Sequence, residues 1–134
     1  MSLSSSGELP LNSGNDVVLA RQAVRRLTQQ LGFSLVDQTK MVTAASELAR
    51  NALVYGGGGT LTWEVLEETV KHGLRLTFAD SGPGIANLEL AMTDGWTSGN
   101  GLGMGLSGAR RLVNDFHIES KVGAGTRVTI ARWK

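Results

Sequence analysis

Three short clusters in this 134-residue chain carry side chains that could do chemistry. The first is Glu47, Arg50 and Asn51, spaced i, i+3 and i+4, which on a helix share one face. An asparagine amide oxygen is a hard ligand suited to Mg²⁺, and a carboxylate one turn away can act as general base on a hydroxyl. The plain alternative is a solvated helix face. The second cluster, Asp80-Ser-Gly82-Pro-Gly84-Ile85, directly follows a run that alternates like a strand. A carboxylate at a strand end can accept from an exocyclic amine, and glycines let a flat ring lie against the backbone. An ordinary Asp–Gly turn is the alternative there. The third is Gly101-Leu102-Gly103-Met104-Gly105-Leu106, which opens a predicted helix. Amides of Gly101, Gly103 and Gly105 can face phosphate oxygens without Cβ obstruction, and the positive helix end favours an anion. A flexible surface loop is the bland reading. No Lys or Arg falls between Arg75 and Arg110, so this loop would hold polyphosphate by amides and a metal ion.

Other readings of these residues are weaker. Gly103-Met-Gly105-Leu-Ser-Gly108 formally matches the dinucleotide fingerprint, but no strand precedes it and residues 109–134 are too few to complete a Rossmann sheet. There is no GxxxxGK[ST], and no HRD or DFG of the protein kinases. His72 and His117 are the only histidines and lack an acidic cluster, so both read as structural. Trp96 and Trp133 are candidates to anchor a partner. Arg110 and Arg111 read as a solvated helix face.

The elements that must position these clusters follow from periodicity. Residues 1–14 read as an arm or edge strand (Leu9, Leu11) broken by Pro10. Asn15 or Asp16 is the expected cap of a helix to about Leu31, with Val17, Ala20, Val24, Leu27 and Leu31 at helical spacing. A second helix is expected from Ser34–Asp37 to Tyr55, stopped by Gly56–Gly59. Residues 60–66 and 74–79 alternate with period two about a turn at Lys71-His-Gly73. Residues 81–103 lack useful periodicity and read as a long loop. A third helix is expected from Met104 to Asp115, then a closing hairpin of Phe116–Ile118 and Thr126–Ala131. That order predicts an α+β fold: a two-layer sandwich with a mixed, mainly antiparallel sheet covered on one face by three helices.

Composition bounds the function. The length fits one domain over residues 1–134, and 41% apolar residues suffice for a core that must be mainly aliphatic, since aromatics are 5%. No cysteine means no disulfide, zinc–thiolate site or thiol nucleophile, as suits a reducing cytosol. A net charge of +1 argues against a nucleic-acid surface. No apolar run approaches a membrane helix, and the N-terminus has no signal-peptide pattern, so a cytoplasmic protein is expected.

Glu-x-x-x-Asn on a helix, Asp-x-Gly-x-Gly after a strand, Gly-x-Gly-x-Gly-Leu before a helix and Gly-Thr near the end occur here in one order. In that order the chain resembles the GHKL (Bergerat-fold) ATPases from about residue 15 to 134. Within them it is similar to the RsbT-like serine/threonine switch kinases of the bacterial stressosome, or partner-switching, pathway. Ser46-Glu-Leu-Ala-Arg-Asn51, Asp94-Gly-Trp-Thr-Ser-Gly99, Arg111-Leu-Val-Asn-Asp-Phe116 and Arg132-Trp133-Lys134 carry the narrower likeness, with the glycine loop. The resemblance implies ATP and Mg²⁺, with Asn51 on the metal and Glu47 as the base activating an acceptor hydroxyl. It implies that Asp80 reads the adenine amine, helped through water by Thr126, and that Gly82, Gly84 and Ile85 shape the adenine pocket. It makes residues 86–100 the ATP lid and Gly101–Leu106 the phosphate loop. STAS-domain antagonist or scaffold proteins are then the expected substrates, with a PP2C-type phosphatase as a target of the released kinase. The alternative is a nucleotide-gated binding module for a sigma factor, and a sensor histidine kinase fragment is a weaker third. Arg50 and Tyr55 depart from the anti-sigma kinases, which favours the switch-kinase branch. Arg50 could meet phosphate or a docking partner.

Overall fold

The alternation Leu61, Val65 on one run and Leu74, Leu76, Phe78 on the next turns one face of each toward a core, and both runs form strands. The computed structural model describes residues 2–92 and 104–134. In it β1 (Ser2–Leu11), β2 (Gly59–Glu67), β3 (His72–Asp80), β4 (Asp115–Lys121) and β5 (Gly125–Trp133) form one sheet in the order β1-β2-β3-β5-β4. Every pairing is antiparallel, where the sequence predicted a mixed, mainly antiparallel sheet. The arm is a true edge strand, since β1 pairs with β2 along its length in spite of Pro10. Proline fits an edge because one side of that strand needs no ladder donors.

Helices α1 (Gly14–Gln30), α2 (Leu35–Val54), the short α3 (Leu88–Ala91) and α4 (Met104–Arg111) complete the fold. α1 is capped by Ser13, not by Asn15 or Asp16. The Ser13 hydroxyl accepts the Asp16 N–H at 3.1 Å, and the Asp16 carboxylate accepts the Asn12 N–H at 2.9 Å. Asp16 thus works three residues inside the cap, where its charge also suits the helix dipole. Ser34 caps α2 in the same way through Asp37 N–H. α2 packs against α1, α4 and the sheet, so its buried face is wide, and four alanines (Ala44, Ala45, Ala49, Ala52) allow the close approach. The fully buried core around it is aliphatic: Leu11, Met41, Leu61, Leu74, Leu76 and Ile130.

Two turns fall elsewhere than the sequence indicated. The β2–β3 reversal is closed by Glu68 N–H on Lys71 O at 2.9 Å, so His72 and Gly73 already belong to β3. α4 ends at Arg111 rather than Asp115, because Asn114 N–H bonds Ala131 O and the Asn114 amide oxygen accepts Trp133 N–H. The pull of the sheet edge outweighs the residual helical spacing of Leu112 and Val113.

Arg132 ties the layers together. From β5 it donates to Asp37 Oδ1 at 2.6 Å, at the start of α2, and to Leu112 O at 2.8 Å, just past α4. Its side chain is 14% exposed, and its hydrogen bond holds the Asp37 carboxyl below the usual aspartate range. A depressed carboxyl stabilises the fold fully above its unfolded value, about pH 3.9, and loses that contribution as pH falls through the lower folded value. Arg132→Ala is therefore expected to cost about 2–3 kcal/mol in denaturant melts at neutral pH and to flatten the stability profile below about pH 4. An unchanged midpoint and acid limb would contradict the clamp. The next residue, Trp133, points to the opposite face. There it lies over Gly73, donates from Nε1 to Asp115 at 3.1 Å and carries the Lys71 ammonium 4.3 Å from its ring centroid. Trp133 thus packs on the sheet while staying partly exposed, and Trp96 lies outside the described residues. No helix among the described residues is long and apolar enough to cross a membrane.

Candidate functional site

Strand phase delivers the first site residue. Leu74, Leu76 and Phe78 point into the core from β3, and Asp80 ends the strand in the same phase, bringing a carboxylate to the rim of the core. Its register partner on β5 is Thr126. Gly82 N–H donates to Asp80 Oδ1 at 2.9 Å. Behind the carboxylate stands Gly56, where an added Cβ would come within 2.6 Å of Asp80 Oδ2. The glycine that ends α2 therefore fixes where the carboxylate can lie. Gly56→Ala is expected to displace it and weaken nucleotide binding by about tenfold in calorimetry, because small misplacements in a preorganised site are costly. Wild-type affinity in that variant would show that the carboxylate does not need this backing.

Asp80 and Thr126 open onto a slot between the sheet and α2, whose wall also includes Asn51, Gly84, Ile85 and Leu106. Phe78, Leu48 and Tyr55 supply apolar surface. A narrow apolar slot with a carboxylate and a hydroxyl at its rim suits a planar heterocycle bearing an amine. Gly84 turns the chain at φ +77°, and Ile85, buried behind it, donates its N–H to Ser120 Oγ at 2.7 Å.

The second group comes from α2. Asn51 reaches the slot, and its Nδ2 is buried with no hydrogen-bond partner among the described residues. Leaving such an amide unsatisfied costs about 1–3 kcal/mol, which a ligand at that place would relieve. Glu47, one turn earlier, lies with Asn51 against the first turn of α4. An added Cβ on Gly105 would stand 2.9 Å from Glu47 Oε2 and 3.4 Å from Asn51 Nδ2. A side chain at this position would crowd the Glu47 carboxylate. The donor set fits Mg²⁺, which takes one or two protein oxygens and fills its octahedron with substrate phosphates and water. Among the described residues no group of three His, Cys, Asp or Glu side chains could hold a metal by itself.

The structure thus gathers Asn51, Asp80, Gly84, Ile85, Leu106 and Thr126 around one slot, with Glu47 and Gly105 beside Asn51. Gly82 stands behind Asp80 rather than in the wall, and Met104 is the first residue of α4. Gly101, Leu102 and Gly103 lie outside the described residues, as does most of the expected lid at 86–100, whose start carries the unanticipated turn of α3. The His72 and His117 rings pair with Glu67, at 3.8 Å, and Glu119, at 2.9 Å, on the surface. Arg50 is exposed. Sequence reasoning missed Gly56, Phe78 and Ser120. Phase could have found two of them, since Phe78 alternates with Asp80, and Ser120 with Ile118 and Phe116.

Comparison with known proteins identifies the family. Residues 36–134 match the family model described as histidine kinase-, DNA gyrase B-, and HSP90-like ATPase. The chain is 42% identical over 118 residues to the serine/threonine-protein kinase RsbT of Bacillus subtilis, covering 88% of this chain and 89% of that one. It is 30% identical over 117 residues to the anti-sigma F factor of Clostridium kluyveri, covering 84% and 82%. Among solved structures, the RsbU and RsbW domains of Rv1364c from Mycobacterium tuberculosis align with TM-score 0.65 at 20% identity, over 96% of this chain and 32% of that one. The mycobacterial sensor histidine kinase MprB aligns at 0.57 and 15% identity, over 96% and 97%. At these identities the solved structures bear on the fold alone.

Proposed function

Because the chain belongs to the family of histidine kinase-, DNA gyrase B- and HSP90-like ATPases, we propose that it is an ATP-dependent serine/threonine-protein kinase whose acceptor is a STAS-domain protein of a bacterial partner-switching pathway. The observation that carries this reading is the meeting of Glu47 and Asn51 with Gly105 beside the Asp80–Thr126 slot. Asp80 accepts from the adenine amine, and Thr126 supports it through water. Gly84 and Ile85 bound the ring. Asn51 is the protein ligand for Mg²⁺, which when bound neutralises charge on the phosphate oxygens. Glu47 takes the proton of an acceptor serine or threonine hydroxyl as its oxygen bonds the γ-phosphorus and ADP leaves. The resemblance assigns the phosphates to Gly101–Leu106, of which Met104–Leu106 open α4, and the lid to residues 86–100. The whole chain acts as one ATP-binding domain in the cytoplasm.

Phosphorylation adds close to two negative charges to the acceptor and loosens its complex with this chain. The freed kinase then engages a downstream PP2C-type phosphatase. The likeness to an anti-sigma F factor supports a second reading, a nucleotide-gated module that sequesters a sigma factor. Partner release separates the two. A STAS-domain protein from the same genome is expected to stay bound to this chain in ADP and to leave as a phosphoprotein once Mg·ATP is added. A complex that persists in Mg·ATP with the partner unmodified would favour the binding module.

A further inference from the structure

We propose that Ser120 is a specificity-determining positioning residue: it locks the Thr126 hydroxyl as a hydrogen-bond acceptor and so makes the slot select a 6-amino purine over a 6-oxo purine. This rests on the reading of the slot as the adenine site. Ser120 and Thr126 are register partners on β4 and β5, and Thr126 in turn faces Asp80 on β3. Ser120 Oγ has three neighbours: Ile85 N at 2.7 Å, Thr126 Oγ1 at 2.8 Å and Gly125 O at 3.1 Å.

The proton count among these atoms has one complete solution. The Ile85 amide can only donate and the Gly125 carbonyl can only accept, while each hydroxyl has one proton and two lone pairs. If Ser120 gave its proton to Thr126, Gly125 O would lose its bond from Ser120. If instead Ser120 donates to Gly125 O, it accepts from Ile85 N–H and from the Thr126 hydroxyl, and all four groups are satisfied. The Thr126 proton is then turned away from the slot, and Thr126 presents lone pairs alone. Asp80 is an acceptor too, with Oδ1 taken by Gly82 N–H and Oδ2 left over. Two acceptors at the rim suit an amine, or a water donating to them. A carbonyl oxygen at the same position would meet acceptors only, and a buried mismatch of that kind is strongly rejected. Ser120 does not itself touch the nucleotide in this arrangement. It acts by fixing the direction of one proton, and by pinning the backbone at Ile85.

The test is calorimetric affinity of the full chain for ATP and for inosine triphosphate, with Mg²⁺. Wild type is expected to prefer ATP by at least about tenfold. Ser120→Ala frees Thr126 to rotate and donate to a 6-oxo group, so the preference is expected to fall at least about threefold below the wild-type value, Asp80 keeping the remainder. Ser120→Thr, which keeps the hydroxyl, is expected to retain the wild-type preference. Should the alanine variant not fold, Ser120→Cys, close in volume but a poor hydrogen-bonding partner, is expected to show the same fall in its place. A preference that stays at the wild-type value in Ser120→Ala or Ser120→Cys, with both affinities lowered equally or unchanged, overturns the proposal and leaves the adenine reading intact. A wild type with no preference overturns both.

Discussion

Glu47→Ala is expected to lower phosphotransfer by about 10²–10⁴-fold while leaving ATP bound, the range associated with removal of a positioned general base. Geometry separates the two effects. The slot proposed for the base of the nucleotide is walled by Asn51, Asp80, Ile85 and Thr126, and Glu47 is not among its lining residues. Its carboxylate lies instead against Gly105, at the first turn of α4 where the glycine loop ends. Loss of the carboxylate removes the proton acceptor but no contact to the ring. Single-turnover transfer and calorimetry on the same preparation check this. Transfer at the wild-type rate would remove Glu47 from the chemistry, and loss of ATP affinity would make it a binding residue.

Asp80→Asn is expected to weaken ATP binding by about 10–100-fold, the usual worth of a hydrogen bond to a charged group. The substitution is nearly isosteric, and its effect lies in polarity. Asparagine Oδ1 can keep the bond from Gly82 N–H, which forces the new amide NH₂ to the place of Oδ2, the oxygen left for the base. A donor then faces the adenine amine, another donor. The fold is held elsewhere, by the core under α2 and by the Arg132 clamp, so the melting temperature is expected to stay within a few degrees. Equal affinity in mutant and wild type would mean that some other group reads the base.

The parts of this molecule that were legible in its sequence are those with strong periodicity or a rigid chemical need. α2 could be placed because Met41, Ala45, Leu48 and Ala52 recur at helical spacing, and Gly56–Gly59 had to end it. The alternation of β2 and β3 fixed which side of the sheet faces the helices, and with it the inward phase of Asp80. Contacts between elements distant in the chain were not legible. Arg132 meets Asp37 across 95 positions, and no local pattern marks that pair. Ser120 appeared only as one small residue in a short strand, and its meaning comes from Ile85 N–H arriving from 35 positions away. Boundaries failed for a related reason. The end of α4 is decided by Asn114 bonding to β5, a tertiary choice that outweighs local helical preference. Gly56 was visible as part of a glycine run, but its contact with the Asp80 carboxylate needed both ends of a 24-residue excursion to be brought together.

The kinase reading is tested most directly by supplying Mg·ATP labelled in its γ-phosphate to this chain and a STAS-domain protein from the same genome, and then finding the label. Acid-stable label on a serine or threonine of the STAS-domain protein, absent with Glu47→Ala, is the expected result. Label that stays in ATP, or that appears only as acid-labile phosphohistidine, would contradict it.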